Sequence, residues 1–93
     1  MLLLLNKMRK EYPDEIRTLA GDEDKTVLLV GDAVLYGLPG MIGGLEELGV
    51  DEFFAAADAV AVRGLTLDAK VQLVDYPGMA GMILDDHDQV VAL

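Results

Sequence analysis

Thr26-Val27-Leu28-Leu29-Val30-Gly31-Asp32-Ala33 is the stretch that decides the fold. After Thr26 it shows no polar alternation, which marks a strand buried on both faces, as strands of a parallel sheet are. Gly31 and Asp32 end the run, and the Asp carboxylate is placed to cap a helix that begins at Ala33. A doubly buried strand turning directly into a helix is half of a strand-helix-strand unit, so the neighbouring segments should repeat the alternation.

They do so in both directions. Upstream, Leu2–Asn6 reads as a first strand, and Pro13 opens a helix at a position where its missing N–H costs nothing. Asp14 and Glu15 suit the positive end of that helix, Ile16, Leu19 and Ala20 form its apolar stripe, and Gly21 stops it before a surface turn at Asp22-Glu23-Asp24. Downstream, the helix from Ala33 carries Val34, Leu35 and Leu38 until Pro39-Gly40 breaks it, and a second helical stretch through Leu45–Leu48 closes at Gly49. Phe53–Ala57 reads as the third strand, with Asp58 as N-cap of a short helix, Ala59–Arg63, that Gly64 terminates. Lys70–Asp75 is the fourth strand, Pro77–Leu84 a helix, and Gln89–Leu93 the fifth strand. The expectation is a single α/β domain over residues 1–93, a three-layer α/β/α arrangement around a mostly parallel five-stranded sheet.

Composition bounds what such a domain does. The hydrophobic fraction of 53% is high for a chain of 93 residues. Part of it serves doubly buried strands, and the rest points to oligomer interfaces. A net charge of −10, with no Lys or Arg between Gly31 and Val62, argues against direct nucleic-acid binding, because phosphate contacts need clustered cations. The one basic cluster, Lys7, Arg9 and Lys10, is diluted by Glu11, Asp14 and Glu15. The leading Met1–Leu5 run has no basic segment before it and stops at Asn6, and no apolar run approaches the roughly 18 residues of a membrane span, so a soluble, cytoplasmic protein without membrane partners is expected.

Reactive chemistry is scarce. The chain has no Cys and no Ser, and its aliphatic hydroxyls are Thr18, Thr26 and Thr66, none beside an evident base. His87, in Asp85-Asp86-His87-Asp88, reads as a solvated turn, with a weak divalent-cation site as the alternative. The glycine-rich Gly37–Gly44 stretch lacks the ending of a phosphate loop and follows a helix; a bent helix or a close packing surface explains it better. No cofactor is called for. A ligand would sit at the strand ends near Asp32, Asp58 and Asp75, where three acids repel anions. Tyr76–Leu84, apolar nearly all round, serves equally as core or as partner interface.

In order along the chain, Leu2–Lys7, Val30-Gly31-Asp32-Ala33-Val34-Leu35-Tyr36, Asp58 with Arg63-Gly64-Leu65, and Val71-Gln72-Leu73-Val74-Asp75-Tyr76 resemble the DsrH/TusB family, small members of the DsrE/DsrF/DsrH group of sulfur-relay proteins. The resemblance implies a three-layer α/β/α fold and assembly with DsrE-like and DsrF-like partners into a heterohexamer of two trimers. In that assembly sulfur passes as a cysteine persulfide, toward 2-thiouridine at the tRNA wobble position or into sulfur metabolism. It also implies that the relay cysteine belongs to the DsrE-type partner, at a stretch comparable to Ala56-Ala57-Asp58 here. The resulting expectation is a non-catalytic structural or regulatory subunit, with Asp32, Tyr36, Asp58, Arg63, Gly64 and Tyr76 shaping the fold and its contacts. Two alternatives remain: a stand-alone homo-oligomeric module that binds a protein or small ligand, and a carboxylate enzyme built on Asp32, Asp58 and Asp75.

Overall fold

A computed structural model describes residues 1–86 and 89–93. Its elements are β1 (Leu2–Leu5), α1 (Tyr12–Ala20), β2 (Lys25–Leu29), a 3₁₀ helix (Gly31–Gly37), α2 (Ile42–Glu46), β3 (Val50–Ala56), α3 (Ala57–Arg63), β4 (Val71–Val74), α4 (Tyr76–Gly81) running into a π-helical turn (Met82–Asp86), and β5 (Val90–Ala92). The five strands form one sheet in the order β4-β3-β2-β1-β5, and every pairing is parallel. The α/β fold with a parallel sheet is as the alternation implied, and the sheet is wholly rather than mostly parallel.

The strand order dictates the layering. Parallel strands are joined by right-handed crossovers, so three steps in one direction, from β1 to β4, place their helices on one face. The return from β4 to β5, beyond β1, places α4 on the other. Packing follows this rule. Leu3, Leu5, Val27, Leu29, Phe53 and Ala55 meet Tyr12 and Ile16 of α1, Val34 of the 3₁₀ helix, Leu45 of α2 and Val60 of α3. On the second face Leu2 and Leu28 meet Met82, with Leu4, Phe54, Val74 and Met79 around them. The first face is thickly covered and the second thinly: α4 has no buried residue, and its anchor is Met82 just beyond its end. Burying one such side chain contributes about 1.5–3 kcal/mol.

Several boundaries differ from the sequence reading, each for a local reason. The segment after β2 is a 3₁₀ helix from Gly31, not an α-helix from Ala33, so Asp32 lies inside it and caps nothing. It ends at Leu38, whose extended backbone (ψ 147°) is what the following Pro39 imposes. In α1 the buried stripe is Tyr12, Ile16 and Ala20, and Leu19 faces out. β3 starts three residues earlier than expected because Asp51 accepts the backbone N–H of Lys25 (3.1 Å), tying its polar beginning to the start of β2. Lys25 is itself buried, 2% exposed, with Nζ donating to the Glu23 carbonyl at 3.0 Å. Of the Gly37–Gly44 stretch only Gly37 is closely packed, a Cβ there standing 3.0 Å from Leu67 Cδ1 and 3.3 Å from Val71 Cγ2, whereas a Cβ on Gly40, Gly43 or Gly44 would meet nothing within 4 Å. His87, and with it the alternative of a weak cation site, lies outside the described residues. Among the described residues no helix is long and apolar enough to cross a membrane.

Candidate functional site

In an open α/β sheet a crevice opens where neighbouring strands send their outgoing connections to opposite faces. Here β3 leads into α3 on the first face and β4 into α4 on the second, so the crevice falls at the carboxyl ends of β3 and β4. An open depression of about 470 Å3 occupies that place. Val30 and Gly31 follow the end of β2, Ala56 ends β3, Asp58 and Arg63 come from α3, and Tyr76 and Met79 from α4.

Each wall has a local cause. Gly31 has φ +54°, and a Cβ there would stand 3.2 Å from the Asn6 carbonyl oxygen, so only glycine lets the β2 exit lie against the β1 exit. Gly64 ends α3 in the left-handed conformation (φ 61°, ψ 35°), its N–H donating to Ala61 O while Leu65 N–H reaches back to Val60 O. Arg63, in the last turn, then donates from Nη1 to the Ala59 carbonyl (3.1 Å) and from Nη2 to Asp32 Oδ1 (2.7 Å), bridging α3 to the 3₁₀ helix. Both ion-pair partners are partly solvated, so the bond orients more than it stabilises, contributing about 0–1 kcal/mol.

Asp58 is not the N-cap of α3. Ala56 holds that position, and Asp58 is the second helical residue, its Oδ1 accepting the N–H of Ala59 at 2.8 Å. The reason is register: Ala55 pairs with Leu73 and Ala56 with Val74, so β3 runs to Ala56 and α3 follows without a gap. The side-chain cap at this edge is Asp75, at the start of α4, whose Oδ1 accepts the N–H of Gly78 at 2.9 Å. Reading Asp75 as the end of the fourth strand misses this cap, although an Asp two residues before Pro77 carries the signal.

Of the six candidate positions, Asp58, Arg63 and Tyr76 line the depression, Asp32 joins through Arg63, and Gly64 shapes the helix that carries Arg63. Tyr36 is elsewhere. Its hydroxyl accepts the Arg9 N–H (3.1 Å) and donates to the Arg9 carbonyl (2.9 Å), pinning the β1–α1 loop, and its ring lies 6.0 Å from that of Tyr12. Arg9 is also neutralised by Glu15 (3.0 Å) and Glu11 (3.7 Å), which removes much of the charge from the basic cluster.

Tyr76 is 80% exposed and its phenol is the one hydroxyl among the lining residues; the rest are hydrocarbon, backbone, the Met79 thioether, Asp58 and Arg63. Among the described residues no group of three or more acids and histidines is placed to hold a metal ion. The arrangement is suited to contact, with an apolar floor and a charged lip. Beneath it, and unforeseen from the sequence, a second apolar groove lies between α4 and the thinly covered face of the sheet. The strands' apolar residues on both faces signalled it, since one short helix was left to cover one of them.

No family model matches this chain, and no curated protein does. Among solved structures, the crystal structure of the ychN protein from E. coli is similar: TM-score 0.67 at 19% identity, covering 99% of this chain and 97% of that one. At that identity the likeness concerns the fold.

Proposed function

We propose that this chain is a non-catalytic subunit of a cytoplasmic sulfurtransferase complex of the sulfur-relay type, holding a DsrE-like and DsrF-like pair rather than carrying sulfur. The observation behind the reading is the composition of the strand-end crevice. At the exit of β3, where the resemblance puts the relay cysteine of the catalytic partner, Ala56, Ala57 and Asp58 offer methyl groups and a carboxylate. Beside its charged lip the crevice exposes large apolar side chains: Val62 (84% exposed), Tyr76 and Leu84 (76%) project from α3, α4 and the π-helical turn, as subunit-contact residues do. The sulfur acceptor would be the wobble uridine of a tRNA or a metabolic carrier.

The test is a gentle affinity purification of the tagged chain from its native cell, with intact-mass spectrometry of every retained protein. Two small retained homologues, one heavier by about 32 Da for a persulfide sulfur, are the expected result. Recovery of this chain alone, as a self-assembled oligomer, overturns the reading in favour of a stand-alone homo-oligomeric binding module, which the same exposed apolar residues would serve.

A further inference from the structure

The groove under α4 has a volume of about 380 Å3 and shares Val30, Tyr76 and Met79 as walls with the strand-end crevice, so the two depressions adjoin along one surface channel edged by these three residues. Leu4, Leu28, Ala80, Ile83 and Leu84 complete its walls, all hydrocarbon. Tyr76 and Leu84 stand largely in solvent beside it. The mouth has a different character. Asp58 stands at the lip, Asp32 is joined to it through Arg63, and Asp75 heads α4. Among the described residues Arg63 is the one cation in this set and Asp32 already holds it, which leaves two carboxylates there without a balancing charge.

A second copy of this chain is a poor occupant, because it has the same acidic mouth and the same net charge of −10, and like-charged molecules repel on approach. We propose instead that the channel docks a basic amphipathic helix of a partner protein. Its apolar face would lie between Leu4 and Leu84, and a Lys or Arg at its end would reach Asp58. This helix-in-groove mode takes its affinity from apolar anchors and its orientation from the terminal ion pair. The inference deepens the subunit reading and rests on it for the identity of the partner, though not for the chemistry of the groove.

The experiment uses the full ¹⁵N-labelled chain titrated with a model peptide carrying Leu at helical i, i+3, i+4 and i+7 spacing and Lys on its flanks. The control is the same peptide with Glu in place of Lys. Saturable amide shifts confined to Leu4, Val30, Asp58, Ala80 and Leu84, seen with the Lys peptide only, are the expected outcome. Asp58→Lys should weaken that binding about tenfold, as reversal of a rim ion pair does. Leu84→Glu, at an exposed position that folding does not need, should weaken it as much. Shifts elsewhere, equal binding of the Glu peptide, or indifference to both substitutions overturns the proposal. Native partners recovered undiminished by both variants would also sink the docking site while leaving the subunit reading intact. Peptide binding as described, with no partner recovered by the unmodified chain, would do the reverse.

Discussion

Replacing Asp75 by Ala removes the one side-chain cap seen at the carboxyl edge of the sheet, and the consequences are calculable. Oδ1 accepts the Gly78 N–H at 2.9 Å, a donor that has no partner within the helix. Loss of such a cap costs about 1 kcal/mol. For a chain of 93 residues that is a fall in Tm of about 4–8 °C. A single substitution also removes a charge, so a cycle with Gly78→Ala isolates the cap. A Cβ at Gly78 would stand 3.0 Å from Asp75 Oδ1, a contact that the carboxylate must yield to. In a helix, Gly→Ala ordinarily gains up to about 1 kcal/mol. With Asp75 in place that gain should vanish or reverse. In the Asp75→Ala background it should return, since the next nearest atom, Val74 Cβ, is at an ordinary 3.6 Å. The coupling expected is about 0.5–1 kcal/mol, measured from urea midpoints at unchanged m and one fixed protein concentration, because self-association would shift them. Additivity within about 0.3 kcal/mol would refute the geometry.

The remaining predictions are simpler. Gly31→Ala combines a positive φ with a 3.2 Å approach to Asn6 O, whereas Gly64→Ala meets the φ penalty alone; the first should cost about 1–3 kcal/mol and clearly more than the second, and equal urea midpoints would show that the Asn6 contact is immaterial. Tyr36→Phe leaves the Arg9 N–H and carbonyl without their shared partner, and should lower stability by about 1–2 kcal/mol and loosen amide-exchange protection at Arg9; unchanged exchange there would refute the pinning role. Lys70 is held charged above its ordinary value of 10.5 by the hydrogen bond and charge of Glu46, with Asp68 adding to them. A raised folded pKa means the pair's small stabilisation is complete below the unfolded value and is lost as pH climbs through the folded one. An NMR titration of the Lys70 side chain should therefore show a midpoint above 10.5 that falls in Glu46→Gln; a midpoint indifferent to that substitution would show that Glu46 is not the cause.

Much of the fold was legible because it is written locally. Val27, Leu28 and Leu29 are apolar on both faces, and that is sufficient for a doubly buried parallel strand; Gly21 and Gly64 stop their helices with positive φ at the expected places, whereas α2 already ends at Glu46, three residues before Gly49. What escaped was decided by contacts distant in sequence. Nothing in Ala55-Ala56-Ala57-Asp58 distinguishes a strand ending at Ala57 from one ending at Ala56; the register of β3 on β4 makes the choice, and it turns Asp58 from a cap into a first-turn residue. The partner of β5 was equally invisible, since its three residues fit any apolar edge, and only assembly of the sheet places it beside β1.

That last pairing has the largest bearing on the site. Because β5 returns to the far side of β1, the β4–β5 connection alone must cover the second face, and it does so with a six-residue helix and a π-helical turn anchored on Met82. The same return sends the connections leaving β3 and β4 to opposite faces, which opens the crevice at Asp58 and Tyr76. A thin cover and an open strand end are thus two results of one topological step, and they meet at Val30, Tyr76 and Met79. The sequence reading weighed Tyr76–Leu84 as core or as interface; in the structure one side of the segment supplies core and the other leaves apolar side chains exposed. Met79 and Met82 face inward on the strands, while Tyr76 and Leu84 remain outside beside the groove, on a face that a strand order continuing from β4 to β5 would have left without any helix.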